Sequence, residues 1–229
     1  MLHTAPSAPP SFLLLLEGRA MAEVAATFAC WPLLQMAPRG DGHPVLVLPG
    51  LGSDDNATHL LRHYLGSRGY DAHGWKQGTN WGIRPGLEAR LEERLDYLAA
   101  TSKGSVSVIG WSLGGVYART LAVRRPSAVR CVITLGAPLN GSAAKRSLSV
   151  PTTSIFSRTD GIVSWRSSMQ SREAATSENI EVHASHLGLG SHPSVLYAIA
   201  NRLAQGPGEW RRFVAPRQLA EHFPDPHRP

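Results

Sequence analysis

Short apolar runs alternate with helical patterns of apolar residues through the middle of the chain. The run Val45-Leu46-Val47-Leu48 is continuous and ends at Pro49-Gly50, which is typical of a strand buried on both faces. Leucines at helical spacing predict helices at about 55–68 and 86–100. The other predicted strands lie near 70–73, 106–109, 129–135, 153–156 and 180–182, and the other helices near 115–122 and 193–203.

This alternation predicts an α/β fold, with a mostly parallel sheet of about six strands and helices on both faces. No internal repeat or break in composition indicates a second domain or a large cap domain. We therefore predict a single domain over residues 12–205. Residues 1–11, which contain three prolines, are predicted to be a disordered tail, and residues 206–229 a surface tail.

The N-terminal segment 12–37 has helical spacing interrupted at Pro32, and we expect it to pack against the main body as an amphipathic helix. Its apolar run 12–16 is too short for a signal peptide, no Lys or Arg precedes it, and Glu17 and Arg19 follow. No stretch approaches the roughly 20 apolar residues of a membrane span. These features predict a cytoplasmic protein without a transmembrane segment.

Composition narrows the possible partners. The 229 residues are 42% hydrophobic, which is enough for one sizeable core. The net charge of +6 comes from scattered arginines without a dense basic run, so a nucleic-acid partner is disfavoured. Cys30 and Cys131 fall in apolar surroundings and are predicted to be small buried residues rather than a disulfide framework. Nothing in the sequence indicates the oligomeric state.

Candidate chemistry centres on Gly110-Trp111-Ser112-Leu113-Gly114, which matches the pattern G-x-S-x-G. A predicted strand precedes it and a predicted helix follows, so the serine occupies a sharp strand-to-helix turn. Such a turn holds the serine hydroxyl above the sheet, next to the amides of the helix N-terminus. We predict that Ser112 is a nucleophile.

A serine nucleophile needs a base, and the base needs an orienting acid. Where a serine occupies such an elbow, the acid and then the histidine follow it along the chain. Asp160, just beyond the strand that ends at Phe156, is the predicted acid. Its rivals Glu173, Glu178 and Glu181 follow no clear strand end or lie inside a strand.

Three histidines are candidates for the base. His186 lies in a loop after the last strand and is the predicted base. His192 precedes Pro193, where the final helix begins, and His183 is expected to point into the sheet packing. A zinc site made of these histidines is disfavoured, because no cysteine or further carboxylate completes a tetrahedral set.

The oxyanion hole is predicted from two backbone amides. One is the N–H of Leu113, the residue after the nucleophile, and the other is that of Leu51 in the glycine-containing loop after the first strand. Four tryptophans lie in or near the expected edge loops, namely Trp75, Trp81, Trp111 and Trp165. Ordinary core packing explains each of them equally well. We predict Trp81, Trp111 and Leu139 as residues of an apolar substrate pocket.

Together these motifs resemble the α/β-hydrolase superfamily, and within it the small bacterial lipase- and esterase-like proteins. The resemblance covers about residues 44–204. The segment Thr134-Leu135-Gly136-Ala137-Pro138-Leu139-Asn140-Gly141-Ser142 is similar to the lipase pattern T-x-G-x-P-H-x-G-S, with Leu139 in place of the histidine. Pro49 also stands where many lipases have histidine. Residues 139–150, where larger lipases insert a lid, are only a short loop, which implies an open site.

The resemblance implies an esterase or lipase that uses Ser112, His186 and Asp160 on a small acyl ester or lipid-like substrate, without metal or organic cofactor. A thioesterase or an acyltransferase would use the same residues. A non-catalytic binding protein of the same fold is a third alternative, although such proteins usually lack a member of the triad.

Overall fold

Six strands form one sheet in which every neighbouring pair is parallel, in the spatial order β2-β1-β3-β4-β5-β6. The computed structural model describes residues 8–102, 104–140, 147–170 and 173–228. The strands are β1 (Pro44–Leu48), β2 (Asp71–Gly74), β3 (Val106–Trp111), β4 (Val129–Leu135), β5 (Thr152–Phe156) and β6 (Ser177–Glu181). The predicted sheet of about six strands is thus confirmed.

Helices cover both faces of this sheet. They are α1 (Ser11–Leu15), α2 (Ala20–Ala29), α3 (Trp31–Leu34), α4 (His59–Ser67), α5 (Leu87–Ser102), α6 (Leu113–Arg124), α7 (Trp165–Ser168) and α8 (Pro193–Leu203). α4 begins later than predicted, since the Asp54 carboxylate accepts a hydrogen bond from the Asn56 amide and favours a turn there. No cap domain is inserted within the parts of the chain that the structure describes.

The two faces of β1 show how the sheet divides the core. Val45 and Val47 join one apolar cluster, with residues of α4 and α8, whereas Leu46 and Leu48 join a second, with residues of α5 and α6. Because successive side chains of a strand point to opposite faces, a strand covered on both sides must be apolar throughout. The continuous apolar run in the sequence reflects this double burial.

Glycines allow α6 to lie directly against the sheet. A Cβ atom added to Gly114 would lie 2.2 Å from the carbonyl oxygen of Leu48, and one added to Gly110 would lie 2.3 Å from the carbonyl oxygen of Gly114. These backbones are therefore closer than any side chain permits. The contact brings the start of α6 to the ends of β1 and β3.

The N-terminal segment differs from the expected amphipathic helix. It is divided into α1, a 3₁₀ turn at Leu16–Arg19, α2 and α3, and the break between α2 and α3 falls at Cys30, two residues before Pro32. Its polar side faces the protein, since Glu17, Glu23 and Thr27 are buried. Several large apolar side chains of the same segment are exposed, including Leu15, Met21 and Met36. The segment packs against the main body as expected and buries Leu13 and Leu34, but these polar groups are buried with them because they have hydrogen-bond partners on the body of the protein.

The remaining predictions concern the termini and the cysteines. Residues 1–7 of the predicted N-terminal tail lie outside the described part of the chain, and the limits of the predicted domain stay a prediction. After Gly206 the chain runs along β6, where the Phe213 amide donates to the Glu178 carboxylate over 2.6 Å. Cys30 and Cys131 are free but only half-buried, because both lie at the edge of the apolar packing.

We expect Gly114→Ala to lower the free energy of unfolding by about 1–3 kcal/mol or more, since the new methyl group meets rigid backbone. The matched control is Gly66→Ala on α4, where nothing lies within 4 Å of the added Cβ. That change should raise the free energy of unfolding by about 0.5–1 kcal/mol. Urea unfolding measures both, and equal effects would contradict the close contact.

Candidate active site

Ser112 occupies the turn between β3 and α6 in a conformation that L-residues rarely adopt. Its φ is 52° and its ψ −122°, and among the described non-glycine residues only Lys76 shares a positive φ. The Ser112 amide donates to the Leu135 carbonyl over 2.8 Å, and the Ser112 carbonyl accepts from the Gly115 amide over 2.9 Å. A conformation that costs energy persists only where the surroundings impose it. Here these hydrogen bonds and the close glycine contacts impose it.

Asp160 and His186 form a buried pair at the same edge of the sheet. Asp160 follows β5, His186 follows β6, and the Oδ2 atom of Asp160 lies 2.7 Å from Nδ1 of His186. The other carboxylate oxygen accepts from the amides of Ile162, at 2.9 Å, and Val163, at 2.7 Å. An ionised Asp160 therefore places the imidazole proton on Nδ1 and leaves Nε2 as the free acceptor.

Two contacts connect this pair to the serine turn. Gly136 directly follows Leu135, whose carbonyl holds the Ser112 amide, and a Cβ on Gly136 would lie 3.0 Å from Asp160 Oδ2 and 3.1 Å from His186 Nδ1. The indole of Trp111, next to Ser112, donates to the His186 carbonyl over 3.1 Å. The structure thus brings the three residues predicted as a triad to one edge of the sheet.

The alternative histidines have other surroundings. His183 is exposed, so its expected place in the sheet packing was wrong; the preceding Val182 occupies the buried side instead. His192 is the N-cap residue of α8, and its Nδ1 accepts from the Ser194 amide over 3.2 Å. Burial lowers the pKa of His192. Neither histidine is paired with Asp160.

The alternative acids have arginine partners away from His186. Glu178 pairs with Arg202 and Glu181 with Arg158, both through side chains of β6. Glu173 has Arg212 and His227 as neighbours, which lower the pKa of its carboxyl group despite partial burial. Among the acidic candidates, Asp160 is the one in contact with the imidazole of His186.

The loop after β1 approaches the serine from the other side. A Cβ on Gly50 would lie 3.1 Å from Cβ of Ser112, so the glycine avoids crowding between this loop and the serine. Leu51 follows in this turn, and Leu113 is the first residue of α6. The first amides of a helix lack intrahelical acceptors and carry its positive dipole end. Both predicted amides therefore belong to segments that adjoin Ser112.

Asn80, which we did not predict from the sequence, holds the loop after β1 in place. This side chain is fully buried, and its Nδ2 donates to the Pro49 carbonyl over 2.9 Å. Its main chain pairs with Gly52 and Ser53, at 2.8 Å each. Nothing in the sequence distinguishes this asparagine from an ordinary turn residue, because its partners lie about 30 positions earlier.

The predicted pocket residues differ in exposure. Trp81 is 75% exposed, whereas Trp111 and Leu139 are buried. Trp75 is fully buried and donates to the Gly78 carbonyl, and Trp165 stacks on Phe156, so ordinary packing accounts for these two. A pocket formed by Trp81, Trp111 and Leu139 stays a prediction.

Other predictions touch residues without a described placement. Gly141 and Ser142 of the lipase-like pattern, and much of the short loop 139–150, lie outside the described residues. Within the described ranges, no three His, Cys, Asp or Glu residues are grouped as a metal site would need. In the same ranges, none of the helices combines the length and the apolar character needed to traverse a bilayer.

Solved structures with the same architecture identify the fold. Lipase B of Aspergillus fumigatus superposes with a TM-score of 0.62 at 20% identity, over 73% of this chain and 53% of the lipase. An esterase of Pyrococcus furiosus gives a TM-score of 0.59 at 14% identity, over 72% of this chain and 82% of the esterase. The chain has the α/β-hydrolase fold.

Sequence comparison agrees with this fold. The model of the PGAP1-like alpha/beta domain matches residues 91–193, a range that includes Ser112, Asp160 and His186. A triacylglycerol lipase of Pseudarthrobacter phenanthrenivorans is 31% identical over 109 residues, which are 44% of this chain and 34% of the lipase. The chain spans about a third of the length of the curated relatives that it matches. Over the matched residues the chain is similar to triacylglycerol lipases and to the PGAP1-like alpha/beta domain.

We expect Asn80→Ala to lower the free energy of unfolding by about 1–3 kcal/mol, because the buried Pro49 carbonyl loses its donor. Asn56→Ala serves as the control, since that side chain is exposed and bonds only within its own turn. Its effect should stay within about 0.5 kcal/mol. Chemical denaturation compares the two, and a similar small change in both would show that Asn80 does not support the loop.

Proposed function

We propose that this protein hydrolyses carboxylic esters through an acyl-enzyme intermediate, with Ser112 as nucleophile, His186 as general base and Asp160 as the orienting acid. The observation that carries the proposal is the buried Asp160–His186 hydrogen bond of 2.7 Å, at the sheet edge where Ser112 occupies its strained turn. A serine alone is a weak nucleophile at neutral pH, and such a pair is what activates it.

In the first step His186 Nε2 accepts the proton of the Ser112 hydroxyl as its oxygen attacks the ester carbonyl. Asp160 stabilises the imidazolium through Nδ1 and keeps the ring in orientation. The imidazolium then gives its proton to the departing alcohol. In the second step, water gives a proton to His186 Nε2 as its oxygen attacks the acyl-serine; the imidazolium then returns the proton to the Ser112 oxygen as the carboxylic acid leaves. Every proton moves between named groups, so the mechanism requires neither metal nor organic cofactor.

The negative oxygen of each tetrahedral intermediate would bind to the amides of Leu51 and Leu113. Asn80 supports this role through two hydrogen bonds. Its side chain donates to the Pro49 carbonyl, and its own carbonyl accepts from the Gly52 amide, so the backbone is held on both sides of Leu51. A single donor of this kind lowers the barrier by about 3 kcal/mol in acyl-transfer enzymes. Many lipases have a histidine at the position of Pro49. In this chain the buried side-chain amide of Asn80 would support the loop instead.

An apolar rim favours esters with a hydrocarbon acyl chain. Leu51, Trp81 and Ile83 are 63%, 75% and 80% exposed, and a Cβ on Gly82 would lie 3.8 Å from the Leu51 side chain. These three residues, here called the apolar rim, adjoin the loop that contacts Ser112. Covering large exposed apolar groups with an acyl chain removes them from water and lowers the free energy. The substrate class is therefore an acyl ester or lipid-like molecule.

Ser112→Ala should reduce hydrolysis of p-nitrophenyl butyrate to background while the protein stays folded, because the acyl acceptor is lost. A fluorophosphonate probe should label the wild-type protein and not this variant, since only an activated serine reacts. Ser102→Ala, at an exposed site on α5, is the control and should keep full rates. Turnover that survives in Ser112→Ala would refute the assignment. Faster cleavage of acyl-CoA than of esters would instead indicate a thioesterase.

Trp81→Ala should lower kcat/KM for p-nitrophenyl octanoate by about 5- to 30-fold, which corresponds to about 1–2 kcal/mol of lost apolar contact. The acetate ester, whose acyl group is too short to reach the apolar rim, should change by less than about twofold. Tyr97→Ala removes another exposed aromatic group, on α5, and should alter neither rate. Equal losses on both esters would argue against acyl-chain binding at Trp81.

A further inference from the structure

A carboxylate from the N-terminal segment is buried beneath the proposed catalytic loops. Glu17 belongs to the 3₁₀ turn between α1 and α2 and is only 5% exposed. Its oxygens accept hydrogen bonds from three backbone amides, none of which belongs to its own segment. Oε1 accepts from Gly161, at 2.8 Å, and from His186, at 2.9 Å, and Oε2 accepts from Leu187, at 2.9 Å.

These three amides belong to the two loops that carry the acid and the base. Gly161 is the residue after Asp160, and the second amide is that of His186 itself. A single oxygen of Glu17 therefore bridges the loop after β5 and the loop after β6. The Asp160–His186 hydrogen bond spans the same two loops through side chains, so the pair is held from the backbone as well.

Residues on either side of Glu17 extend the contact. Arg19 donates to the hydroxyl of Thr159, at 2.7 Å, and to its carbonyl, at 3.1 Å. Glu23 accepts from the amide and the hydroxyl of Ser185, at 2.8 and 2.6 Å. Thr159 precedes Asp160 and Ser185 precedes His186. Each of the two loops is thus held by hydrogen bonds on both sides of its proposed catalytic residue.

Physical chemistry explains why a charged group is suited to this position. A buried carboxylate is costly unless it is well hydrogen-bonded, and bonds to an ionised acceptor are about twice as strong as neutral ones. Three convergent amides satisfy one carboxylate, and the carboxylate in turn fixes three amides. A neutral side chain at this place would leave at least one amide of a catalytic loop without a partner.

We propose that Glu17 is a positioning residue of the active site, which holds the Asp160 and His186 loops in the geometry that presents the imidazole to Ser112. The inference rests on the proposed function, because its consequence is measured on that reaction. Glu17 contacts neither the substrate nor the reacting atoms; it acts through the backbone of the loops. Displacing a catalytic group by about 1 Å can cost about 100-fold in rate, so this support matters to turnover.

The test compares Glu17→Ala and Glu17→Gln with Glu178→Gln. Glu178 is an equally buried carboxylate that accepts from Arg202, Thr153 and the Phe213 amide, away from the site, so Glu178→Gln controls for lost stability alone. Each variant is assayed for kcat and KM on p-nitrophenyl butyrate, for the rate of fluorophosphonate labelling, and for urea unfolding.

Glu17→Ala should lower kcat and the labelling rate by about 10- to 100-fold, with KM within about twofold. Glu17→Gln keeps one acceptor oxygen for Gly161 and His186 but turns a donor toward the Leu187 amide, so its kcat should fall less than that of Glu17→Ala but stay below that of Glu178→Gln. Should the alanine variant fail to fold, the glutamine variant still reports a fall in kcat against the control. Glu178→Gln should lose stability and keep the wild-type kcat per folded molecule.

The two proposals fail in different ways. If the wild-type protein labels at Ser112 and folded Glu17 variants label equally fast, the positioning role is overturned and the proposed function stands. The positioning role is also overturned if activity falls only in proportion to the unfolded fraction. If the wild-type protein neither cleaves esters nor labels, the proposed function itself is overturned.

Discussion

The close contact of β1, β3 and α6 is the constraint on which the candidate site depends. Side chains at Gly110 or Gly114 would overlap neighbouring backbone, so only glycine lets α6 begin immediately after β3. That abrupt start holds Ser112 at a positive φ, immediately before the first residue of α6. The loop after β1 can then approach through Gly50. Once these backbones are fixed, the ends of β5 and β6 need only carry an acid and a base to the same edge.

Much of this arrangement could be predicted from the sequence, because it depends on local patterns. Apolar runs identify strands buried on both faces, and a parallel sheet sends all their following loops to one edge. The positions of Ser112, Asp160 and His186 just beyond strand ends could therefore be predicted from the sequence. The structure brings these residues together as expected, while their roles remain part of the proposed function.

The contacts of Asn80 and Glu17 could not be predicted from the sequence, for a physical reason. Asn80 and Glu17 act on backbone groups that are distant in sequence, and backbone amides and carbonyls are the same at every position. A buried polar residue therefore resembles a surface residue until its partners are known. The N-terminal segment shows this most clearly, since its charged side is buried and many of its large apolar residues are exposed. Hydrophobic periodicity alone assigns such a segment the opposite orientation.

The hydrogen bonds of Glu17 have a consequence for the order in which the molecule is assembled. They join residues that are 144, 169 and 170 positions apart, which makes them some of the most non-local contacts in the chain. Contacts of this kind form late in folding, because a long loop must be closed first. During synthesis the carboxylate of Glu17 lacks its full set of three donors until residue 187 has emerged from the ribosome. A newly made chain can therefore form β3 and the serine turn before Glu17 holds the loop that carries His186.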